Sequence, residues 1–172
     1  KRFQKSLETR SLVDDNRSIR CMILPLVSIN LVVPNSAVAE IISYSAPKKL
    51  ADSSDWFSGM LLWRGVFVPV VAVEQMCLID TALTGPRARI AILYNLNKDD
   101  DLPYIGIHIQ DVPRAYLAES GRMKSRTDDN LGKYLLSHVD EELFARAIPN
   151  FDTIISDLKL ELFDEKIAQA TH

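Results

Sequence analysis

WFSGMLLWRGVFVPVVAVE, residues 56–74, is the most apolar stretch of the chain, and Arg64 stands in its middle. A charge is costly to bury unpaired. Arg64 is therefore at a turn in water, paired inside, or presented to a partner. The run divides at Arg64-Gly65 into GMLLW and VFVPVVAV, two β-rich segments around a two-residue unit ending in glycine. That pattern predicts a tight hairpin in which Gly65 takes a positive φ at little cost. Pro69 has no N–H for a ladder, so its strand needs an edge or a bulge there.

Outward from this hairpin the texture stays β. Upstream, CMILPL and INLVVP are two short runs joined through VSIN. AVAEIISY, residues 37–44, is a strand, and so short a run leaves a turn of helix at its start open. APKKLADSSD reads as a loop. Downstream, LIDTALTGPRA is a polar connection, RIAILYNL and YIGIHI are strands joined by the acidic NKDDDLP, and VPRAYLAE continues the β texture. In NLGKYLLSHVDEE, Leu131, Tyr134, Leu135 and His138 fall at helical spacing, which predicts a short helix. FDTIIS reads as a last strand. DLKLELFDEKI reads as a C-terminal helix with Ser156 or Asp157 as its N-cap. Many short strands and few helices predict a barrel-like, mainly β fold.

The 172 residues suit one domain or two small intertwined lobes, enough to bury a sizeable core. The chain is 47% hydrophobic and 25% charged, as in an ordinary globular protein. A net charge of −3 argues against nucleic acid as a partner. Arg87 with Arg89, and Arg122 with Lys124 and Arg126, read as solvated loops. Cys21 and Cys77 make neither a disulfide framework nor a metal spacing; as buried free thiols they fit a reducing compartment. No apolar run approaches the ~20 residues that span a bilayer, and KRFQKSLETR has no apolar signal core. The chain reads as cytoplasmic. It begins without Met, so an upstream segment stays possible.

The chemistry of an enzyme is hard to find. There is no phosphate-binding glycine loop, no zinc-binding helix motif, no nucleophile elbow and no paired Cys-x-x-Cys. His108 alternates with isoleucines and reads as a satisfied or half-exposed strand histidine. His138 reads as a solvated helix face, and His172 is terminal. The acid pairs Asp14-Asp15, Asp128-Asp129 and Glu141-Glu142 are adjacent residues, not carboxylates facing across a cleft. Asp99 to Asp101 lack the spacing of a calcium loop and read as a hairpin tip. No catalytic residue, metal or cofactor is expected.

From Arg20 to about Val73 the order of features resembles the CheW-like family of chemotaxis coupling proteins. Val38, Glu40 and Ile41 occupy a V-x-E-I element. Gly59, Arg64, Gly65, Pro69 and Val70 occupy a G-x-x-x-x-R-G-x-x-x-P-V signature with its spacing intact. RIAILYNL and YIGIHIQDVPRAYLAE resemble the family's next hairpin, and IISDLKLELF its closing strand and helix. The resemblance covers most of residues 19–165. Departures occur at Trp63, where leucine is common, at Ala72 for aspartate or asparagine, at Gln110 for aspartate, and at 145–148, which lack a usual glycine. They suggest a divergent member, similar to couplers of chemosensory systems that control type IV pili and twitching.

The resemblance implies two five-stranded SH3-like β-barrel lobes with a few short helices, one of them C-terminal. It implies a polar tail at 1–18, a single domain at 19–165 and a tail at 166–172. It implies a non-enzymatic adaptor, monomeric in isolation, that joins the regulatory domain of a CheA-type histidine kinase to the cytoplasmic tip of a chemoreceptor, without entering the membrane. The receptor docks in a groove between the lobes. The residues implicated in partner binding are Val38, Glu40, Gly59, Arg64 and Gly65. Arg64 either braces Glu40 and the turn or contacts the receptor; Val38 either packs in the core or lines the groove; the two glycines serve the backbone. Two other readings are a small hydrolase with scattered acids near His108, and a domain cut from a longer signalling protein.

Overall fold

The computed structural model describes residues 18–97, 101–119, 132–139 and 146–170. Among them, ten strands form two five-stranded sheets. The first sheet contains β1 (Ser18–Pro25), β2 (Asn30–Pro34), β8 (Arg114–Glu119), β9 (Leu135–Val139) and β10 (Arg146–Pro149), in the order β8-β1-β2-β10-β9. The second contains β3 (Val38–Ser43), β4 (Phe57–Trp63), β5 (Val66–Val71), β6 (Arg89–Tyr94) and β7 (Tyr104–Ile109), in the order β3-β6-β7-β5-β4. The chain leaves the first sheet through a 3-10 turn, Asn35–Ala37, and returns to it at β8, so the two lobes are interleaved in sequence. Each sheet has one parallel pair, β2 with β10 and β5 with β7. A one-turn helix, α1 (Val73–Met76), follows β5, and a long helix, α2 (Phe151–Ala170), ends the described chain. This is the mainly β, two-lobed architecture expected.

The core explains why the inner strands read as unbroken apolar runs. Alternate residues of β6 face two different clusters. Ala91 and Leu93 join Leu24, Leu31, Ile105, Ile107, Ile154 and Leu158 in a core shared by both sheets and α2. Ile90 and Ile92 face the other way, onto Leu61, Trp63, Val68 and Val70. A strand buried on both faces has no polar alternation to show. The third cluster, Cys21, Ile23, Val32 and Ala118, fills the far face of the first sheet.

Pro69 is accommodated without an edge. Met60 exchanges both backbone hydrogen bonds with Lys48, at 2.8 and 2.9 Å, so Pro69 opposite it is asked for none. The parallel ladder to β7 starts only at Val70. The bulge is on the neighbouring strand, between Phe57 and Gly59.

Four expectations are corrected. VFVPVVAV ends as a strand at Val71, and Val73 already belongs to α1. The short helix expected around Leu131–His138 is β9, paired antiparallel to β10; Leu131 lies outside the described residues. Tyr134, Leu135 and His138 fit a helical spacing, but so few apolar residues do not separate the two periods. FDTIIS is the first turn and a half of α2, not a strand. The cap is Asn150, whose side-chain oxygen accepts from the Thr153 N–H at 3.3 Å, not Ser156 or Asp157. Burial of Ile154, Ile155 and Leu158 on one helical face overrides the β preference of the isoleucines.

Candidate functional site: the braced Arg64 hairpin and the inter-sheet groove

Both central residues of the β4–β5 turn have positive φ, 47° at Arg64 and 75° at Gly65. That is the geometry of the twist-matched two-residue hairpin. Arginine in this region costs about 1 kcal/mol that a glycine would not. Its surroundings hold it there. Arg64 Nη2 lies 3.2 Å from Glu40 Oε2, and the guanidinium stacks over the Trp63 indole with its carbon 4.8 Å from the ring centre. The Trp63 N–H donates to the same Glu40 oxygen at 2.6 Å. Trp63 in turn meets Tyr104 edge-on at 4.9 Å, and Tyr104 meets Tyr94 at 5.6 Å. Glu40 is thus fixed by a buried indole while Arg64, 68% exposed, keeps part of its donor fork in water. Arg64 is both at a turn and paired. Beside it, Leu62 and Phe67 face each other across the strands, 63% and 68% exposed.

Of the five residues expected, Glu40, Arg64 and Gly65 come together here. Val38 pairs with Leu93 and packs, half-buried, against the shared core. Gly59 lies in the β4 bulge with φ 125°, and a Cβ there would sit 2.3 Å from the Lys48 carbonyl oxygen. Its requirement is close backbone approach. Trp63, a departure from the family pattern, is a donor to Glu40, a role that the motif does not reveal. The available signal was that a buried indole N–H needs an acceptor.

A second feature lies between the sheets. A groove of about 590 Å³ is lined by Pro25, Leu26, Val27, Ile29 and Asn30 of the β1–β2 turn, by Gln110 to Arg114, and by Arg87. Arg87 is a solvated loop cation, as expected, and carries an exposed ion pair. It pairs with Asp111 at 2.9 Å, and this hydrogen bond is the main reason the Asp111 carboxyl stays below its usual range. None of the five expected residues lines this groove.

The remaining chemical groups are embedded in structure. His108 is buried, not half-exposed, with its ring 4.7 Å from Tyr44 and a hydrogen bond to the Leu83 backbone. Burial lowers its pKa, and its Nε2 has no partner, so it is only partly satisfied. Both cysteines are free, Cys21 buried and Cys77 half-buried; desolvation raises both thiols, Cys77 to about 11. Among the described residues, no three His, Cys, Asp or Glu side chains gather into a cation site, and no helix is long and apolar enough to cross a membrane. Asp99, Asp128, Asp129, Glu141, Glu142, Arg122, Lys124, Arg126 and His172 lie outside the described residues.

Two interleaved β lobes carry a braced cation on a hairpin and an open groove. The chain belongs to the CheW-like domain family, whose model matches residues 20–131. Among solved structures, it is similar to the crystal structure of the scaffolding protein TtCheW from Thermoanaerobacter tengcongensis. That likeness has a TM-score of 0.67 at 12% identity and covers 78% of this chain and 85% of that one. At such identity it establishes the fold. No curated protein matches the chain.

Proposed function

We propose that this protein is a non-enzymatic adaptor of a chemosensory array, joining the regulatory domain of a CheA-type histidine kinase to the cytoplasmic tip of a chemoreceptor. Membership of the CheW-like family carries this reading. The groove between the lobes is the receptor surface: it is open, has apolar Leu26 and Ile29 within it, and exposes Val112 at its edge. The β4–β5 hairpin is the kinase surface, with Leu62 and Phe67 as an apolar pair and Arg64 as an oriented donor. Glu40 and Gly65 act by holding Arg64; Val38 and Gly59 act by holding the lobe. Residues 19–165 work as one domain. The changes at Trp63, Ala72 and Gln110 favour a divergent coupler, and our reading is one that serves a system moving pili rather than flagella.

Coupling of this kind needs different affinities for two states of the array, because a ligand without such a difference shifts no equilibrium. Reconstitution tests it. Receptor-tip fragments templated on vesicles are mixed with the kinase regulatory domain and pelleted. The kinase domain pellets only when this protein is added; co-pelleting that is independent of it contradicts the proposal.

A further inference from the structure

α2 carries apolar side chains on two sides. Ile154, Ile155, Leu158 and Leu162 pack into the shared core. Ser156, Lys159, Leu160 and Phe163 follow the spacing i, i+3, i+4, i+7 and so share a second face. All four are exposed, Leu160 by 60% and Phe163 by 59%. A surface helix of a globular protein has one apolar stripe and turns a polar face to water. The second stripe does not come from a loosely held helix. Glu161 accepts from the Ser54 hydroxyl at 2.9 Å, Asp157 from the Tyr134 hydroxyl at 2.6 Å and Asp152 from the Asn97 amide at 3.0 Å, so α2 is fixed at three points. An open cleft of about 430 Å³ lies between the stripe and Asp101 and Leu102 of the β6–β7 loop. It shares no lining residue with the groove of Arg87 and Gln110.

We propose that this face is a self-association surface: two copies of the chain pack their α2 helices antiparallel, and Phe163 of each enters the cleft of the other beside Ser156. The face contains its own complement. It offers a protruding ring, a recess at a small residue, an apolar Leu160, and rim charges of both signs in Lys159 and Asp101. In a two-fold contact residue i meets j and j meets i. An axis between Lys159 and Leu160 sets Phe163 opposite Ser156 and Lys159 opposite Leu160. The Lys159 stem then covers Leu160 of the second copy while its ammonium turns toward that copy's Asp101. A partner charged with one sign matches only half of such a rim. Asp101 and Lys159 also interact within their own chain, and the contact does not need them free. Rim charges set register more than affinity; the affinity comes from Leu160 and Phe163. One helix face is small for a stable interface, which predicts a weak dimer. The resemblance implies a monomer in isolation; the stripe revises that at high concentration. In an array, where copies are held close, a weak contact is occupied. That consequence rests on the adaptor reading, and the contact itself does not.

Sedimentation velocity of the wild-type chain from micromolar to millimolar concentration tests it. The sedimentation coefficient is expected to rise with concentration from the monomer value toward the dimer value. A Leu160→Asp and Phe163→Asp double variant is expected to stay at the monomer value with an unchanged circular dichroism spectrum. Disulfide trapping in air tests the register, with the wild type, whose Cys21 is buried and Cys77 half-buried, as control. Ser156→Cys mixed with Phe163→Cys is expected to give a mixed disulfide that neither variant gives alone. A wild type that stays monomeric at millimolar concentration, a dimer that survives the double variant, or a Ser156→Cys chain that cross-links to itself as readily as to Phe163→Cys overturns the proposal. A monomeric wild type whose double variant loses kinase-domain or receptor-tip affinity overturns it too, and gives the face to that partner. The wild-type and trapping measurements decide even if the double variant misfolds. A chain that dimerises through α2 but binds neither the kinase domain nor the receptor tip refutes the adaptor reading and leaves the surface standing.

Discussion

At the scale of the residue, Arg64 shows how a charge is kept inside an apolar sequence. The turn demands two positive φ values, and only one is supplied by glycine. Glu40 and Trp63 then fix the guanidinium from below and beside. An exposed ion pair of this kind is worth at most about 1 kcal/mol. Arg64→Lys therefore leaves the denaturation midpoint nearly unchanged. On the proposed kinase surface it is expected to lower kinase-domain affinity about tenfold in calorimetry, because the planar fork and the stacking are lost. The two glycines separate by cause. Gly65→Ala meets open space and costs about 1 kcal/mol. Gly59→Ala drives a Cβ into the Lys48 backbone and costs upward of about 2 kcal/mol by urea unfolding. The hairpin and its Arg-Gly turn were legible in sequence because a two-residue unit between β runs admits few conformations. The donor role of Trp63 was not, because its acceptor is 23 positions away.

At the scale of the element, the second half of the chain misled for a physical reason. FDTIIS has strand-like residues, but its isoleucines sit four and three positions before the buried Leu158, at helical spacing. The decision is made by Asn150, which caps α2 while its own backbone N–H donates to the Tyr134 carbonyl at 2.7 Å and its side chain donates to Lys133. Asn150→Ala is expected to cost about 1 kcal/mol and to fray the first turn, seen as faster amide exchange at Thr153. Asp157, one turn later, accepts from the Tyr134 hydroxyl at 2.6 Å and pairs with Lys133 at 3.0 Å, which ties α2 to the segment entering β9. β10 escaped notice because four residues between loops carry no readable period.

At the scale of the whole molecule, the order of strands was legible only through the family's motifs, since composition and alternation name a β fold but not which strands pair. The parallel pairs β2–β10 and β5–β7 join segments far apart in sequence and leave no local trace. The buried Glu74 has a global consequence. Its folded pKa is raised from 4.5 to about 7, so the stability associated with its neutral form is complete below pH 4.5 and is lost as pH rises toward 7. The loss is about 3 kcal/mol. The carboxyls of Asp111 and Asp157 are lowered and act oppositely, contributing stability above about pH 4 and losing it in acid. The difference in unfolding free energy between wild type and Glu74→Gln, measured from pH 4.5 to 8, isolates the Glu74 contribution; the variant gains on the wild type as pH rises.

The proposed adaptor role requires this protein to bind a kinase domain. The most direct test is a calorimetric titration of the protein with the isolated regulatory domain of its chemosensory histidine kinase, with a Leu62→Ser and Phe67→Ser double variant as companion. Saturable one-to-one binding that the double variant weakens at least tenfold is the expected result. A folded wild-type protein that releases no binding heat at any temperature tried, or a double variant that binds as well as the wild type, contradicts it.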